Sequence, residues 1–219
     1  MRLQAVLWDM DGLLVDSEPV WTVAETELAV RLGGSWDEQI KAAVVGTRLD
    51  VAIPAMLSWF GIEPTPDRVA EASNWLLTRM VQLYAGPLPL LPGVAGLFAE
   101  LRAAAVPMAL VSSSYRVLVD AVLAHGIGPF DLTIAGDEVR RGKPDPEPYL
   151  TAADRLGVDP ARCVVLEDSA AGVLAGQAAG CAVVAVPSVA GVRIAPAPQL
   201  LVVPSLGGIG LSHLTRLFD

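Results

Sequence analysis

Trp8-Asp9-Met10-Asp11-Gly12 sets two carboxylates two residues apart, directly after an apolar run. Side chains two apart on an extended segment point the same way, so both acids project beyond the end of a strand. Adjacent acids in that position call for a cation. A second pair, Glu167-Asp168-Ser169, follows the apolar run Cys163 to Leu166, with Gly172 three residues on. Between the pairs, Ser112-Ser113-Ser114 follows another apolar run and offers hydroxyls and helix-entry amides suited to a phosphate. Lys143 stands in Arg141-Gly142-Lys143-Pro144-Asp145-Pro146, one of only two lysines among 15 basic residues. A compact ammonium on a flexible stem fits between converging carboxylates where a planar guanidinium does not. Each cluster alone has a plain explanation: Asp-x-Asp-Gly as a solvated turn, Ser as an N-cap, Asp145 as the cap of a helix opened by Pro146. Convergence of four such ends on one crevice is a far stronger signal than any one of them.

The elements that must position these residues follow from hydrophobic patterning. Leu3 to Trp8, Pro107 to Val111, Leu132 to Ala135, Cys163 to Leu166 and Ala182 to Val186 each read as a buried parallel strand. Helical segments separate the later ones, such as Tyr115 to His125 before Gly126 and Glu147 to Leu156 before Gly157. This alternation predicts an α/β fold with a doubly wound parallel sheet, whose ligands bind beyond the carboxyl ends of the strands. Between the first two strands the alternation fails for about 70 residues. Helices are expected there over Trp21 to Leu32, Asp50 to Phe60 and Thr65 to about Tyr84, with Pro54 weakening the second. The breaker-rich segment Gly86 to Gly93 reads as the return hinge. The expected organisation is an α/β catalytic core of residues 1–15 and 88–219 with a helical cap of residues 16–87. After Val186 only a last short helix near Leu211 to Phe218 is expected.

Composition narrows the function. The 219 residues are 53% hydrophobic and 18% charged, with a net charge of −9. Such a chain lacks the basic footprint of nucleic-acid binding, so an anionic substrate would need local positive charge from a metal ion or a few placed side chains. Cys163 and Cys181 are too few for a disulfide framework and show no metal-ligand spacing, which suggests buried, reduced thiols and a cytoplasmic location. Asp9 leaves no room for a signal-peptide apolar region. The charge-free run Ser169 to Val192 carries Gly172, Gly176 and Gly180 at membrane-helix spacing, but Gln177, Pro187 and the glycines read instead as a helix, a stop and a buried strand. No membrane and no nucleic-acid partner is expected, and the protein is expected to be a monomer.

The ordered set Asp9-x-Asp11-Gly12, Ser112, Lys143-Pro144 and Glu167-Asp168-Ser169-x-x-Gly172 resembles the haloacid dehalogenase (HAD) superfamily, from Leu7 to about Val186. The insert after the first motif is similar to the helical cap of its β-phosphoglucomutase-like branch. Asp11-Gly12-Leu13-Leu14-Val15-Asp16-Ser17-Glu18-Pro19-Val20-Trp21 is similar to sugar-phosphate phosphatases of the 2-deoxyglucose-6-phosphatase and hexitol phosphatase type.

The resemblance implies a Mg²⁺-dependent phosphatase of small sugar or polyol phosphates, with a small phosphorylated metabolite as partner. Asp9 would be the nucleophile that forms an aspartyl-phosphate and Asp11 the general acid and base. Asp9, the Asp11 carbonyl and Asp168 would bind the metal, and Ser112, the Ser113 amide and Lys143 the phosphoryl group. Glu167 would assist the metal or serve structure. Charge supports the cation: a phosphate dianion among these acids meets repulsions of about 4 kcal/mol per close pair at an effective dielectric of 20, more than one lysine offsets. Glu18 at the first hinge and Arg48 on a cap loop are candidate substrate contacts, while His125, His213 and the five tryptophans are expected to be structural. A phospho-accepting receiver domain is disfavoured because its acceptor lies on a middle strand of a chain of about 120 residues. A dehalogenase is disfavoured by Asp11. A phosphonatase is disfavoured because Lys41 sits among polar helix residues. A β-phosphoglucomutase-type mutase is the closest alternative, needing a second phosphate site that Arg48, or Arg79 in place of a missing lysine, would supply.

Overall fold

The computed structural model describes residues 3–44, 46–188 and 194–218. Six parallel strands form one sheet in the order β3-β2-β1-β4-β5-β6: β1 Ala5–Trp8, β2 Met108–Val111, β3 Leu132–Ile134, β4 Cys163–Glu167, β5 Ala182–Ala185 and β6 Leu200–Val202. The chain builds outward from β1 through β2 to β3, then returns to the other side of β1 for β4. The reversal opens a crevice at the carboxyl end of β1, where doubly wound sheets take their ligands.

Alternate residues of the strands supply two apolar layers. Val6, Trp8, Leu110, Val164 and Leu166 pack on one face, and Ala5, Leu7, Ala109, Val111 and Val165 on the other. Helices cover both faces, which explains why β1, β2, β4 and β5 read as continuous apolar runs and are buried throughout. β6 was not anticipated. It is a three-residue, half-exposed edge strand amid prolines and glycines, too short for periodicity to reveal.

Among the described residues five helices lie between β1 and β2, and the first four make up the insert: α1 Glu18–Arg31, α2 Glu38–Val44, α3 Leu49–Trp59 and α4 Pro66–Tyr84. α2 escaped the sequence reading, although Asp37 caps it by accepting from the amides of Gln39 (2.9 Å) and Ile40 (2.9 Å). α3 runs through Pro54, which sits at its sixth position. The helices share one apolar cluster with the sheet, running from Trp8 through Leu13 and Leu14 to Leu28, Ile53, Leu76 and Met80. The two connections to the core run side by side, the Asp16 amide donating to Pro89 O (2.9 Å) and the Leu91 amide to Leu14 O (3.1 Å).

After the insert come α5 Val94–Ala103, α6 Arg116–Leu123, α7 Glu147–Leu156, α8 Ala170–Ala178 and α9 Leu211–Thr215. The charge-free run thus contains a nine-residue helix and a strand, and its residues 189–192 lie outside the described ones. Among the described residues no helix is long and apolar enough to cross a membrane. Both cysteines are free and buried, and burial pushes the Cys163 thiol up to about 12.

Candidate active site

Asp9, Lys143, Glu167 and Asp168 meet at the carboxyl ends of β1 and β4, each no more than 6% exposed. β1 and β4 pair in register, Trp8 beside Leu166, so the acids that follow both strands emerge together. Lys143 spends all three ammonium protons: on Asp9 Oδ1 (2.5 Å), Glu167 Oε1 (2.5 Å) and Val111 O (2.8 Å). Glu167 is equally committed. Its Oε1 also accepts from the Tyr149 hydroxyl (2.6 Å), and its Oε2 accepts from the Asp168 amide (3.1 Å) and the Ser169 hydroxyl (3.1 Å). Gly172, in the first turn of α8, has no room for a side chain, because a Cβ there would lie 1.8 Å from Glu167 Oε1. Gly12 is constrained likewise, with φ +76° and a Cβ position 2.4 Å from Asp168 Oδ2.

Three buried acids around one ammonium leave excess negative charge. Burial, then repulsion from Glu167, raises Asp9 well above the ordinary carboxylate range, although Lys143 opposes the shift. Burial and Glu167 likewise push Asp168 up to about 8, against the donated hydrogen bond of Ser188. Burial alone would lower Lys143, but Asp9 and Glu167 raise it above its ordinary value, so it stays charged. Carboxylate oxygens of Asp9, Glu167 and Asp168 lie within 4.8 Å of one another, an all-oxygen donor set that suits a hard divalent cation. Asp9 Oδ2 receives no protein hydrogen bond among the described residues, and Asp168 Oδ2 takes one from the Ser188 hydroxyl (2.5 Å). Both Glu167 oxygens also accept from protein donors, which link it to Lys143, Tyr149 and the β4–α8 turn.

Asp11 faces away from this cluster. Its Oδ1 accepts from the Trp21 indole (3.0 Å) and the Tyr84 hydroxyl (2.7 Å), and its Oδ2 from the Ser114 hydroxyl (2.7 Å). Two of these donors come from α1 and α4, so the insert grips this acid directly. Trp21, expected only to pack, is therefore a polar partner of the site. Ser112 is buried at the end of β2 and its hydroxyl accepts from the Ser114 amide (2.9 Å), while the Ser113 amide donates to no protein acceptor among the described residues.

A cavity opens between the strand ends and the insert, lined by Asp9, Asp11, Asp168, Ser112, Ser113 and Ser114 on its floor. Val44, Leu49, Ala52, Met56, Leu76 and Leu118 make apolar walls, and Glu18, Trp21, Glu25 and Lys41 add polar groups. Glu18 lines the cavity as its position at the hinge suggested, paired with Lys41 at 3.0 Å. Lys41, expected to sit among polar helix residues, lines the same cavity. Arg48 is directed elsewhere. It pairs with Asp50 and donates through Nη1 to Gly136 O (3.0 Å) and Val139 O (2.9 Å), tying the insert to the core backbone. Arg79, the other cation considered for a second phosphate, pairs with Glu27 on the outside of the insert. His125 bonds to Tyr84 O (2.6 Å) and His213 accepts from the Gly210 amide (3.1 Å), both structural roles.

Sequence reasoning missed Tyr84, Tyr149 and Ser188, and it grouped Ser114 with the phosphate-facing serines without foreseeing its bond to Asp11. Ser188 follows β5 at the same sheet edge and could have been found by that rule. Tyr84 and Tyr149 are buried tyrosines, which require a hydrogen-bond partner, but only the fold says which.

A strand-end nest of acids around a lysine beneath a helical insert defines a class, and the chain belongs to the haloacid dehalogenase-like hydrolases, whose family model matches residues 3–180. More particularly, it is 33% identical to Hexitol phosphatase B of Escherichia coli K12 over 99% of this chain and 95% of that protein. It is 32% identical to Fructose-1-phosphate phosphatase YqaB of the same organism, over 82% of this chain and 94% of that protein. The structure of CbbY from Rhodobacter sphaeroides in complex with phosphate superimposes with a TM-score of 0.86 at 30% identity, covering 97% of this chain and 99% of that one.

Proposed function

We propose that this chain is a Mg²⁺-dependent phosphatase that hydrolyses small phosphate monoesters of sugars or polyols through an aspartyl-phosphate. The observation that carries the reading is that Asp9, held from behind by Lys143, shares one cavity floor with Asp168, Ser112 and the undonated Ser113 amide. In this reading the Asp9 carboxylate attacks phosphorus and the ester P–O bond breaks. Asp11 delivers a proton to the departing alkoxide, then removes one from the water that attacks the aspartyl-phosphate and regenerates Asp9. Lys143 stays protonated and offsets phosphoryl charge, while the Ser112 hydroxyl and Ser113 amide hold the phosphoryl oxygens. Asp9, Asp168 and the Asp11 carbonyl would hold Mg²⁺, which supplies the positive charge that one lysine lacks.

Residues 16–87 act in this reading as a cap over a core of residues 1–15 and 88–219. Glu18 contacts the leaving group and Arg48 keeps the cap seated. The buried thiols fit the cytoplasm, where sugar phosphates occur, and the protein is taken to act as a monomer. The mutase reading is the weaker one. Lys41, the one basic residue lining the cavity among those described, is already paired with Glu18, and neither Arg48 nor Arg79 lines it. The test is phosphate release from p-nitrophenyl phosphate and from a hexitol phosphate, with and without Mg²⁺. Metal-dependent turnover is expected, and Asp9→Asn should remove at least about 99% of it while leaving the melting temperature within a few degrees. A folded Asp9→Asn variant with near-normal turnover would refute the mechanism.

A further inference from the structure

Within that cavity one carboxyl group has no part in the proposed chemistry. Glu25, on α1 two turns beyond Glu18, lines the same wall as Trp21 and Lys41. It is partly buried and accepts no hydrogen bond among the described residues, although Lys41 and Glu18 both act on it through space. Val44, Ala52, Met56 and Leu76 are apolar residues of the insert that line the same cavity. A carboxyl in such a wall costs free energy unless something satisfies it. The floor is specialised for the phosphoryl group and the walls are mostly aliphatic, so the hydrogen-bonding capacity on the insert side is concentrated in Glu18, Lys41, Thr47 and Glu25, and the Thr47 hydroxyl already donates to Val44 O.

We infer that Glu25 is a specificity-determining residue that hydrogen-bonds a hydroxyl of the leaving group and so selects polyhydroxylated alcohols over hydroxyl-free ones. The inference rests on the phosphatase reading and deepens it. Burial first, and Glu18 second, push the Glu25 carboxyl up to about 8, with Lys41 opposing. Near neutral pH it is therefore mostly protonated, able both to donate to and to accept from a hydroxyl. A site built to bond a hydroxyl rejects analogues without one, because its own polar group is then left unpaired. Glutamine would keep this dual capacity, whereas leucine or alanine would abolish it.

The experiment compares kcat/KM of the full-length enzyme for sorbitol 6-phosphate and for p-nitrophenyl phosphate, whose leaving group carries no hydroxyl besides the ester oxygen. Glu25→Leu should lower the sorbitol 6-phosphate value by about tenfold or more, the worth of one good hydrogen bond, and change the p-nitrophenyl phosphate value by less than about twofold. Glu25→Gln should retain most of the sorbitol 6-phosphate activity at pH 7. Glu25→Ala is measured in parallel, so the substrate ratio is available if the leucine variant misfolds. Equal losses on both substrates, an unchanged ratio, or a glutamine variant as impaired as leucine would overturn the inference. If the wild type releases phosphate from neither substrate, the phosphatase reading itself falls. Normal wild-type turnover with an unmoved ratio sinks only the role of Glu25.

Discussion

The floor and the insert wall of the cavity are built on opposite plans. On the floor every ammonium proton of Lys143 is spent and both Glu167 oxygens are taken, and glycines at 12 and 172 admit the carboxylates at distances no side chain would permit. On the wall, Glu18 and Lys41 form one partly exposed ion pair and Glu25 is left without a hydrogen bond among the described residues. Saturated networks are rigid and intolerant of change, because each lost partner leaves a buried polar group unpaired. A polar wall with spare capacity can be met by a ligand and altered without unfolding the protein. In the proposed reading, the common chemistry belongs to the sheet and discrimination among leaving groups to the helices.

Substitutions on the floor should therefore be costlier than those on the wall. Lys143→Arg keeps the charge, but its wide guanidinium cannot meet three acceptors gathered round one nitrogen. It should lower phosphatase kcat by about a hundredfold or more, and near-normal turnover would contradict the saturated geometry. Gly172→Ala would drive a Cβ to 1.8 Å from Glu167 Oε1. It should cost roughly 3 kcal/mol as overpacking, lowering the melting temperature by about 10 °C and reducing turnover as Glu167 and Lys143 shift. A melting temperature equal to wild type would show that the β4–α8 turn has slack.

Arg48 joins the two regions, and its loss should have an intermediate effect. Arg48→Ala removes the hydrogen bonds to Gly136 and Val139 and should raise KM about fivefold, a little under the worth of one hydrogen bond, with kcat less affected. Gly142→Ala should act in the same direction, since its Cβ would lie 2.4 Å from Arg48 Cδ. If Arg48 instead touches substrate, the alanine variant will lose affinity for inorganic phosphate while Gly142→Ala will not.

The smallest effect belongs to the wall and depends on pH. The Glu25 carboxyl sits at about 8 in the folded protein, raised by burial and by Glu18 against Lys41, and near its ordinary value when unfolded. The folded state therefore binds the proton more tightly, and stability falls as pH rises from about 4.5 to about 8. Glu25→Gln should raise the melting temperature by roughly 5 °C at pH 9 and leave it nearly unchanged at pH 4. A uniform shift at both pH values would mean that packing, not charge, governs this position.

Much of this protein is legible in its amino-acid sequence. Apolar runs of four or five residues ending in acids, serines or glycine-punctuated turns identify buried parallel strands and what stands at their carboxyl edge, because burial on both faces erases alternation and leaves only the boundaries polar. Gly172 was visible as a motif position, but its reason, the carboxylate of Glu167 pressed against the first turn of α8, was not. β6 and α2 were missed because three edge residues and a seven-residue helix carry too little periodicity to register. Directions of long side chains were beyond sequence reasoning altogether. Arg48 and Lys41 are both basic residues of the insert, yet one reaches backbone carbonyls of the core and the other the cavity. Local spacing determines which residues leave a strand together. Only the packing of the insert on the sheet decides that Trp21 and Tyr84 grip Asp11 and that Glu25 faces the cavity, since those contacts join segments tens of residues apart and depend on how helices dock, not on any residue's neighbours in the chain.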